Sequence, residues 1–209
     1  MKKKIDAKTK IKQNALKLFN EIDSLSITTN HIAKEAGISP GNLYYHYKNK
    51  EEIILDLYLQ LSSEFVELNS FEKMLLHENF FEAMDEMFNQ YAKLFFKYRF
   101  ILRDATVLIA MDSKLKEAFA SNQELRINQI ENLLNYLIKE GLLKELNRSS
   151  LHKRAKLHWF ITAYWQTFAS TTGDVTLETL QESKEVFFEF MIYPNLTEKG
   201  KDLIRKMSK

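Results

Sequence analysis

The sequence predicts an all-α fold, and three observations support this class. Only 5 of its 209 residues are Gly and 2 are Pro, so few positions interrupt a helix. Hydrophobic residues make up 45% of the chain, which is enough for a sizeable core. Apolar residues recur at helical spacing along most of the chain, and we find no convincing strand, repeat or low-complexity segment. We expect two parts, a small three-helix unit at residues 1–50 and a larger helical unit at residues 51–209.

The first two predicted helices carry one apolar face each. The first spans residues 6–21, with lysines opposite its apolar face. The second spans residues 29–36, and we expect Thr29 to act as its N-cap. Gly37 follows it and supplies the positive φ that a sharp turn requires. The spacing therefore predicts two packed helices with a tight turn after the second.

The third predicted helix is very short, at residues 40–45. Ser39 is its N-cap and Pro40 its first residue, where a missing N–H has no consequence. Leu43 and Tyr47 are the expected inward residues. A helix of this length is not stable alone in water, so an external role is needed to explain its exposed polar and aromatic residues. A helix–turn–helix that reads DNA is the best candidate.

A fourth helix connects this unit rigidly to the rest of the chain. It is predicted at residues 49–68, and Asn49 followed by Glu52 has the spacing of a capping box. Six further segments are predicted in the larger unit. They are residues 79–98, an apolar segment at 100–111, 113–140 after Asp112 or Ser113, 150–172 after Ser149 or Ser150, 177–192 after Thr176, and a last helix at 198–207.

Charge is unevenly distributed. Residues 1–50 contain ten Lys and four acids, a net charge of +6, so the remainder carries −4 against +2 for the whole chain. A basic module suggests a polyanionic partner for the first part only. The chain has no Cys, no long apolar run and no apolar segment behind its N-terminal lysines. We therefore expect a cytoplasmic protein without disulfides, membrane span or secretory signal.

The N-terminal quarter resembles the DNA-binding domain of the TetR family of transcriptional regulators. The resemblance is dense over some 45 residues and rests on Thr28-Thr29, on the block IAKEAG at 32–37, on ISPGNLYYHY at 38–47, and on KNKEE at 48–52. It implies a homodimer whose reading helices meet a palindromic operator in double-stranded DNA. Beyond residue 68 the resemblance is one of architecture, so it implies a regulatory and dimerisation domain without naming an effector.

The resemblance also places the third helix in the major groove. Asn42 would pair with a base edge, while the hydroxyl residues would anchor helix N-termini against the backbone. One departure is Pro40, which stands where many members carry a basic residue and so removes one possible contact. The implied DNA-binding residues are Thr28, Thr29, Ser39, Pro40, Gly41, Asn42, Tyr44, Tyr45, His46 and Lys50.

Aromatic and Met residues are dense in the larger unit, which indicates either a packed core or a cavity for an apolar or aromatic effector. The predicted cavity residues are Phe88, Tyr91, Phe95, Arg103, Met111, Trp159 and Tyr164, with Gln90, His158 and Gln166 as further polar candidates. The last long helices are the candidates for the dimer interface that the resemblance implies. Their predicted interface residues are Trp165, Phe168, Ala169, Val186, Phe187 and Phe190, which are equally compatible with a monomer core.

Two other classes of function are weighed against a regulator. An enzyme is disfavoured because the sequence lacks a Gly-rich phosphate loop, a nucleophile elbow and a Cys nucleophile. A helical adaptor that binds protein through its aromatic face is the alternative to a ligand-controlled regulator. The five His residues show no pair at metal-binding helical spacing, so we expect neither a metal nor another cofactor.

Overall fold

A computed structural model describes residues 6–68, 74 and 77–207, and it confirms the all-α class. The described α-helices are α1 (Ala7–Glu21), α2 (Thr29–Glu35), α3 (Pro40–His46), α4 (Lys50–Glu67), α5 (Phe80–Lys97), α6 (Arg99–Arg103), α7 (Ala105–Met111), α8 (Ser113–Lys139), α9 (Arg148–Ala169), α10 (Leu177–Phe187) and α11 (Glu198–Met207). Extended pairing within the described residues is limited to an isolated bridge between Leu143 and Leu196.

The first three helices enclose a small core. Ile11 and Phe19 from α1, Ile32 from α2 and Leu43 from α3 are all fully buried. Gly37 has a φ of +63°, which turns the chain sharply between α2 and α3 as the sequence predicted. These contacts fix the angle between α2 and α3, and therefore the direction in which α3 faces.

The N-cap of α2 differs from the prediction by one residue. Thr28, and not Thr29, is the cap: its Oγ1 accepts the His31 N–H, while His31 Nδ1 accepts the Thr28 N–H. This reciprocal pair satisfies two backbone donors at the start of the helix. Thr29 is thereby released from capping, and its hydroxyl lies 3.0 Å from the Tyr44 hydroxyl on α3.

Helix α4 belongs to both parts of the molecule. Asn49 caps it by accepting the Glu52 N–H, but the Glu52 carboxylate accepts the N–H of Lys48 and not that of Asn49. Ile53 and Leu57 are fully buried in the core shared with α1, while Phe65 stacks on Tyr91 of α5. Because α4 contributes to both cores, the predicted division after residue 50 stays a prediction.

The larger unit is built from α5 to α11. Its apolar segment at 100–111 is divided at Asp104 into α6 and α7, and α9 begins after Asn147, whose side chain accepts the Ser150 N–H. The predicted caps Ser149 and Ser150 thus lie inside the first turn of α9. The helix predicted to end at residue 192 changes to a π-helical turn at Phe188–Ile192.

The two parts meet where α1 packs against α6. The Phe19 and Phe100 rings lie 4.9 Å apart and both are fully buried. The Asn20 side chain donates to the Lys97 carbonyl and accepts the Phe100 N–H. The small N-terminal unit is therefore attached to the body by both apolar and polar contacts, in addition to the covalent connection through α4.

Candidate DNA-reading helix and effector cleft

Helix α3 is held by one buried face. Ser39 Oγ accepts the Asn42 N–H and Pro40 occupies the first helical position, as the sequence predicted. Leu43 is fully buried and Tyr47 is 4% exposed, which confirms both as inward residues. A helix of seven residues gains its stability from this packing and its cap, because its own backbone hydrogen bonds are too few.

The opposite face of α3 is exposed and aromatic. Tyr45 is 85% exposed and Tyr44 50% exposed. Exposing two neighbouring aromatic rings to water is unfavourable and often marks a binding surface. The Tyr45 and His46 rings meet edge to face at 5.1 Å. The Asn42 side chain is also exposed, and within the described residues its amide group has no hydrogen bond. This face presents aromatic, amide and imidazole groups to solvent.

Gly41 lies on the same exposed face. A Cβ atom added at this position would meet no atom within 4 Å, and its φ is not in the left-handed region. Nothing inside the described protein therefore requires a glycine here. A surface that another molecule approaches closely does explain it, because glycine leaves the backbone uncovered.

Two lysines near α3 differ in their availability. Lys50 Nζ donates to the carbonyls of Ser24 and Leu25, at 2.7 and 2.9 Å, so its ammonium helps to close the turn between α1 and α2. Lys48 is exposed, and no ion pair or side-chain hydrogen bond engages it within the described residues. The sequence singled out Lys50, but of these two lysines it is Lys48 whose ammonium is free beside the exposed face of α3.

A partly buried polar cluster holds the end of α3 against α4. The Tyr47 hydroxyl donates to Asp56 at 2.6 Å, and the ammonium groups of Lys8 and Lys12 lie 3.2 and 3.3 Å from the same carboxylate. Burial alone would raise the pKa of Asp56, but the hydrogen bonds from Tyr47 and Lys8 and the charge of Lys12 lower it below its usual value. The ionised carboxylate therefore stabilises the folded N-terminal unit.

Replacing Asp56 with Asn is expected to destabilise the N-terminal unit by about 1–2 kcal/mol at neutral pH. A carboxyl group with a depressed folded pKa stabilises the fold above its unfolded pKa of about 4, and this contribution disappears as pH falls through the folded value. The gap in unfolding free energy between wild type and D56N should therefore close below about pH 4. Urea unfolding at pH 7 and pH 3 measures it, with the exposed Asp174→Asn as control. An undiminished gap at pH 3 would contradict this account.

Two narrow clefts lie in the body between α4, α5, α8 and α9. Their cavities are small, about 30 Å³ in the first and about 20 Å³ in the second, so a ligand larger than a water molecule would have to part the side chains that line them. The lining of both is mostly aromatic and aliphatic, and they share Phe65, Arg126 and Trp159. Because the two clefts share these lining residues, we treat them as two parts of one candidate effector site, which we call the aromatic cleft.

The cleft includes five of the seven residues predicted for it. Phe95, Trp159 and Tyr164 line the first part, and Phe88 and Tyr91 line the second. The two remaining predictions are corrected. Arg103 lies outside the cleft because its guanidinium binds Asp104 and the Phe19 carbonyl, and Met111 is 59% exposed at the end of α7, near the N-terminal unit.

Arg126 of α8 was not predicted, although it is the most distinctive group in the cleft. The residue is only 4% exposed, and its guanidinium lies 3.9 Å from the centre of the Phe65 ring. Nε donates to Asn122 and Nη1 to Gln129, both neutral amides. Burial lowers the pKa of Arg126, and no Asp or Glu among the described residues lies within ion-pair distance of it.

His158 contributes a neutral polar group to the second part of the cleft. Its ring lies 4.0 Å from the Phe187 ring and stacks on Phe88. Complete burial lowers the pKa of His158 to about 3, so the imidazole is uncharged at neutral pH. Arg126 is therefore the one charged residue that lines either part of the aromatic cleft within the described chain.

A polar cluster connects the floor of the cleft to the N-terminal unit. Asp104, which lies between α6 and α7, accepts the Ser24 hydroxyl at 2.5 Å and is paired with the Arg103 guanidinium at 2.7 and 2.9 Å. The same guanidinium donates to the Phe19 carbonyl of α1. We call these contacts the Asp104 latch. Leu102 and Ala105, on either side of it, line the aromatic cleft.

An exposed apolar stripe runs along the outside of α9. Leu157, Phe160 and Phe168 are 46%, 59% and 64% exposed, and with the half-buried Tyr164 they fall at helical spacing. Phe190, after α10, is also 64% exposed. The stripe is a contiguous apolar surface, which a protein normally covers with a partner.

The structure sorts the six predicted interface residues into two groups. Phe168 and Phe190 are exposed, and Trp165 and Val186 are half-buried, so a partner can reach all four. Phe187 is 2% exposed and Ala169 8% exposed within the single chain. These two predictions are corrected: both side chains pack inside the protomer, where Phe187 contacts Phe88 and His158.

The capped, outward-facing α3 on a helix–turn–helix frame, joined to a helical body with an aromatic cleft, defines a DNA-binding regulatory protein. Comparison with known families agrees. The family described as "Bacterial regulatory proteins, tetR family" matches residues 11–57, and "Bacterial transcriptional repressor" (TetR) matches residues 64–204. The second match spans more than half of the chain. The chain belongs to the TetR family of transcriptional regulators, a family of regulators and not of enzymes.

Several relatives extend this comparison. The "Fatty acid metabolism regulator protein" of Bacillus subtilis (strain 168) is 31% identical over 120 residues, 54% of each chain. The "Biofilm operon icaADBC HTH-type negative transcriptional regulator IcaR" of Staphylococcus epidermidis is 48% identical over 46 residues, 22% of this chain and 25% of the relative. The chain thus matches about half of one relative and a quarter of the other.

Solved structures support the fold over the whole chain. A TetR-family transcriptional regulator from Marinobacter aquaeolei VT8 superposes with a TM-score of 0.81 at 24% identity, covering 98% of both chains. No helix among the described residues is both long and apolar enough to cross a bilayer. Nor do those residues contain a group of three or more His, Cys, Asp or Glu side chains that could hold a metal ion.

Proposed function

We propose that this chain is a cytoplasmic, ligand-responsive repressor that binds a palindromic operator as a homodimer and is released by a small apolar or aromatic effector. The observation that carries the proposal is the exposed face of α3, on which a Tyr that is 85% exposed stands beside an unpaired Asn and an unobstructed Gly. A protein–protein adaptor does not need this combination at the end of a helix–turn–helix.

The residues of α3 would divide the work of recognition. The Asn42 amide can pair with an adenine edge, and Tyr45 can contact a thymine methyl group or the backbone. The Tyr44 hydroxyl is held by a hydrogen bond with Thr29. The side chains of Thr28 and Ser39 cap α2 and α3, so the backbone N–H groups at the starts of these helices would face DNA phosphates. Pro40 is exposed at the first helical position. Its fixed backbone angle favours the start of α3, but it has no N–H group or side-chain donor for a phosphate.

Phosphate binding falls to Lys48 and His46, because Lys50 is engaged by backbone carbonyls. A plot of the logarithm of the DNA-binding constant against the logarithm of salt concentration should become less steep in Lys48→Ala, by about one unit of slope for each N-terminal unit bound. Thermal stability should not change. Lys50→Ala is the matched control: it should lower stability by about 1 kcal/mol and leave the salt slope unchanged. Operator titrations at several salt concentrations measure both. A smaller slope in K50A than in K48A would reverse these roles.

Dimerisation would use the apolar stripe of α9 together with Phe190. In a two-fold arrangement the same stripe is supplied by both protomers, so a self-complementary apolar surface suffices. Two protomers would then present two α3 helices to successive half-sites of the operator. The exposure of Phe160 and Phe168 in the single chain supports this choice of surface.

The effector would occupy the aromatic cleft. The relative from Bacillus subtilis is called a fatty acid metabolism regulator, which is compatible with an effector that has an aliphatic body. The lining of Phe65, Phe95 and Trp159 accepts aliphatic and aromatic skeletons alike. The effector class is therefore proposed from the chemistry of the cleft, and the name of the relative adds to it.

Effector binding would reach the DNA through the Asp104 latch as well as through α4. An effector that displaces Leu102 or Ala105 moves the two residues on either side of Arg103 and Asp104, which hold Ser24 and the Phe19 carbonyl. A shift of α6 would thereby rotate the N-terminal unit. Coupling then has a physical route with a different set of contacts in each state.

Ser24→Ala is expected to loosen the turn between α1 and α2 while the body stays intact. The substitution removes the 2.5 Å hydrogen bond to Asp104, whose carboxylate stays paired with Arg103. Loss of one charge-assisted hydrogen bond should speed amide exchange in residues 22–28 by about five- to tenfold. Hydrogen exchange with mass spectrometry measures this, with the exposed Ser121→Ala as control. Exchange equal to that of wild type would remove the latch from the coupling route.

The proposed function is tested by DNA selection. We expect the purified protein to enrich a palindromic sequence from random duplexes, with an affinity that falls steeply as salt rises. A thermal-shift screen against small apolar compounds should then identify effectors that release this DNA. Failure to prefer any sequence would refute the regulator and favour the adaptor. Sequence-specific binding that no cleft ligand alters would leave a constitutive repressor.

A further inference from the structure

Arg126 gives the aromatic cleft an uncompensated positive charge. A guanidinium has five N–H donors, and the hydrogen bonds to Asn122 and Gln129 use two of them. Both acceptors are neutral, and the Phe65 ring covers one face of the group. A buried cation normally has a carboxylate partner, because removing a charge from water is expensive. The described residues provide none.

Solvent does not compensate the Arg126 charge either. Arg126 is 4% exposed, so water does not replace the missing anion as it would for a residue whose head reaches the surface. The hydroxyl of Thr162 in the same cleft is also buried without a hydrogen bond among the described residues. The Tyr58 hydroxyl, which lines the first part, is likewise buried without a hydrogen bond among the described residues, so three polar groups lack a full set of partners in a mostly apolar cleft.

We infer that the effector is a monocarboxylate with an apolar body, and that Arg126 binds its carboxylate. This rests on the proposed function, since it assigns the chemistry of the ligand in the same cleft. Guanidinium and carboxylate form paired hydrogen bonds that give direction as well as affinity. A single negative charge balances a single Arg, whereas a dianionic phosphate would leave an excess negative charge in an apolar site.

The geometry also orients the ligand. Arg126 lies where the two parts of the cleft meet, because both parts include it together with Phe65 and Trp159. A carboxylate placed there leaves the apolar body to extend along Phe95 toward Leu102 and Ala105. The body would then press on the residues beside the Asp104 latch, so the charged group fixes the position of the ligand and the apolar group acts on α6.

The experiment compares acids with their neutral analogues. Decanoate and 2-naphthoate are titrated into the full-length protein at neutral pH, beside decanamide, 2-naphthamide and decyl phosphate. Trp fluorescence reports occupancy, because Trp159 lines both parts of the cleft, and calorimetry gives affinities. At least one acid is expected to bind about tenfold or more tightly than its amide.

Arg126→Met removes the charge and keeps an apolar side chain of similar length. The variant should fold, since replacing an unpaired buried charge with an apolar group is often neutral or stabilising. It should bind acid and amide equally. Arg126→Lys keeps a charge without the paired donors and should retain part of the preference. Arg148→Met, an exposed change of the same charge, is the control and should behave as wild type.

The outcomes separate this inference from the proposed function. Equal binding of acid and amide by the wild type, or a preference that persists in R126M, overturns the carboxylate and leaves the effector cleft in place. Tighter binding of decyl phosphate than of decanoate also overturns it. If none of the five probes binds, the carboxylate inference fails, while operator selection still decides the proposed function independently. A preference for the acid that R126M abolishes supports the inference.

Discussion

Phe168→Glu is expected to convert the dimer to a monomer and to lower operator affinity by about 100-fold or more. Phe168 is 64% exposed on the apolar stripe of α9. The centre of its ring lies 5.4 Å from the centre of the Trp165 ring. In a symmetric interface the substitution places a carboxylate from each protomer in an apolar contact, where a charge is costly and the two negative charges repel. Each protomer should still fold, because this side chain contributes little to its core.

The measurement combines sedimentation with operator titration. Val66→Glu is the matched control, since Val66 is 58% exposed on a different helix, α4, so it should leave both the dimer and DNA binding unchanged. A half-site titration adds a further check: F168E should bind a single half-site as wild-type protomers do, because α3 is untouched. A dimeric F168E would show that the partner uses a different surface.

The strength of this effect comes from linkage between two reading heads. Each α3 is short and offers only a few contacts, so a single head binds weakly. Joining two heads makes the second binding event intramolecular, which multiplies affinity without any new contact. If α3 reads DNA and the stripe forms the dimer as proposed, the apolar stripe would be as important for DNA binding as α3, although the two surfaces lie on different helices.

Local chemistry explains which elements were predictable from the sequence. The caps at Ser39, Asn49 and Thr176 and the positive φ at Gly37 depend on residues within a few positions of each other, so their patterns are visible along the chain. Helix spacing likewise predicted the all-α class. The burial of Leu43 and the exposure of the face opposite it followed from the same periodicity.

Long-range contacts explain what the sequence did not predict. Lys50 binds carbonyls 25 and 26 positions away, and Arg103 binds the Phe19 carbonyl 84 positions away. Backbone acceptors have no residue-type signature, so no pattern marks them. The sequence left Phe187 open between a dimer interface and the monomer core, because an apolar stripe looks the same whether it faces a partner or its own core.

Arg126 was missed for a different reason. An Arg in a long helix is normally solvent-exposed, and the composition of α8 is strongly polar. One signal was nevertheless present: Arg126 falls at helical spacing with Ile130, Leu133 and Leu137, all of which are buried. A charged residue that interrupts a buried stripe at this spacing should be treated as a candidate binding group.

Tyr45→Ala is expected to lower specific DNA affinity by about 10- to 100-fold while thermal stability stays within about 0.5 kcal/mol of wild type. Tyr45 is 85% exposed, so its removal leaves no cavity, whereas truncating the inward Tyr47 would damage the core. Tyr44→Phe is the matched control: it loses only the hydroxyl that lies 3.0 Å from Thr29 and should keep most of the affinity.

Specificity distinguishes this prediction from a general loss of binding. If Tyr45 contacts a base, Y45A should lose affinity for the operator while its affinity for random duplex falls little. The ratio of operator affinity to random-duplex affinity then decreases. If Tyr45 binds only phosphate, both affinities fall together and the ratio is unchanged. Asn42→Ala, which removes an amide that can pair with adenine, should relax the preference at one base position. Full specific binding by Y45A would contradict the base contact proposed for Tyr45.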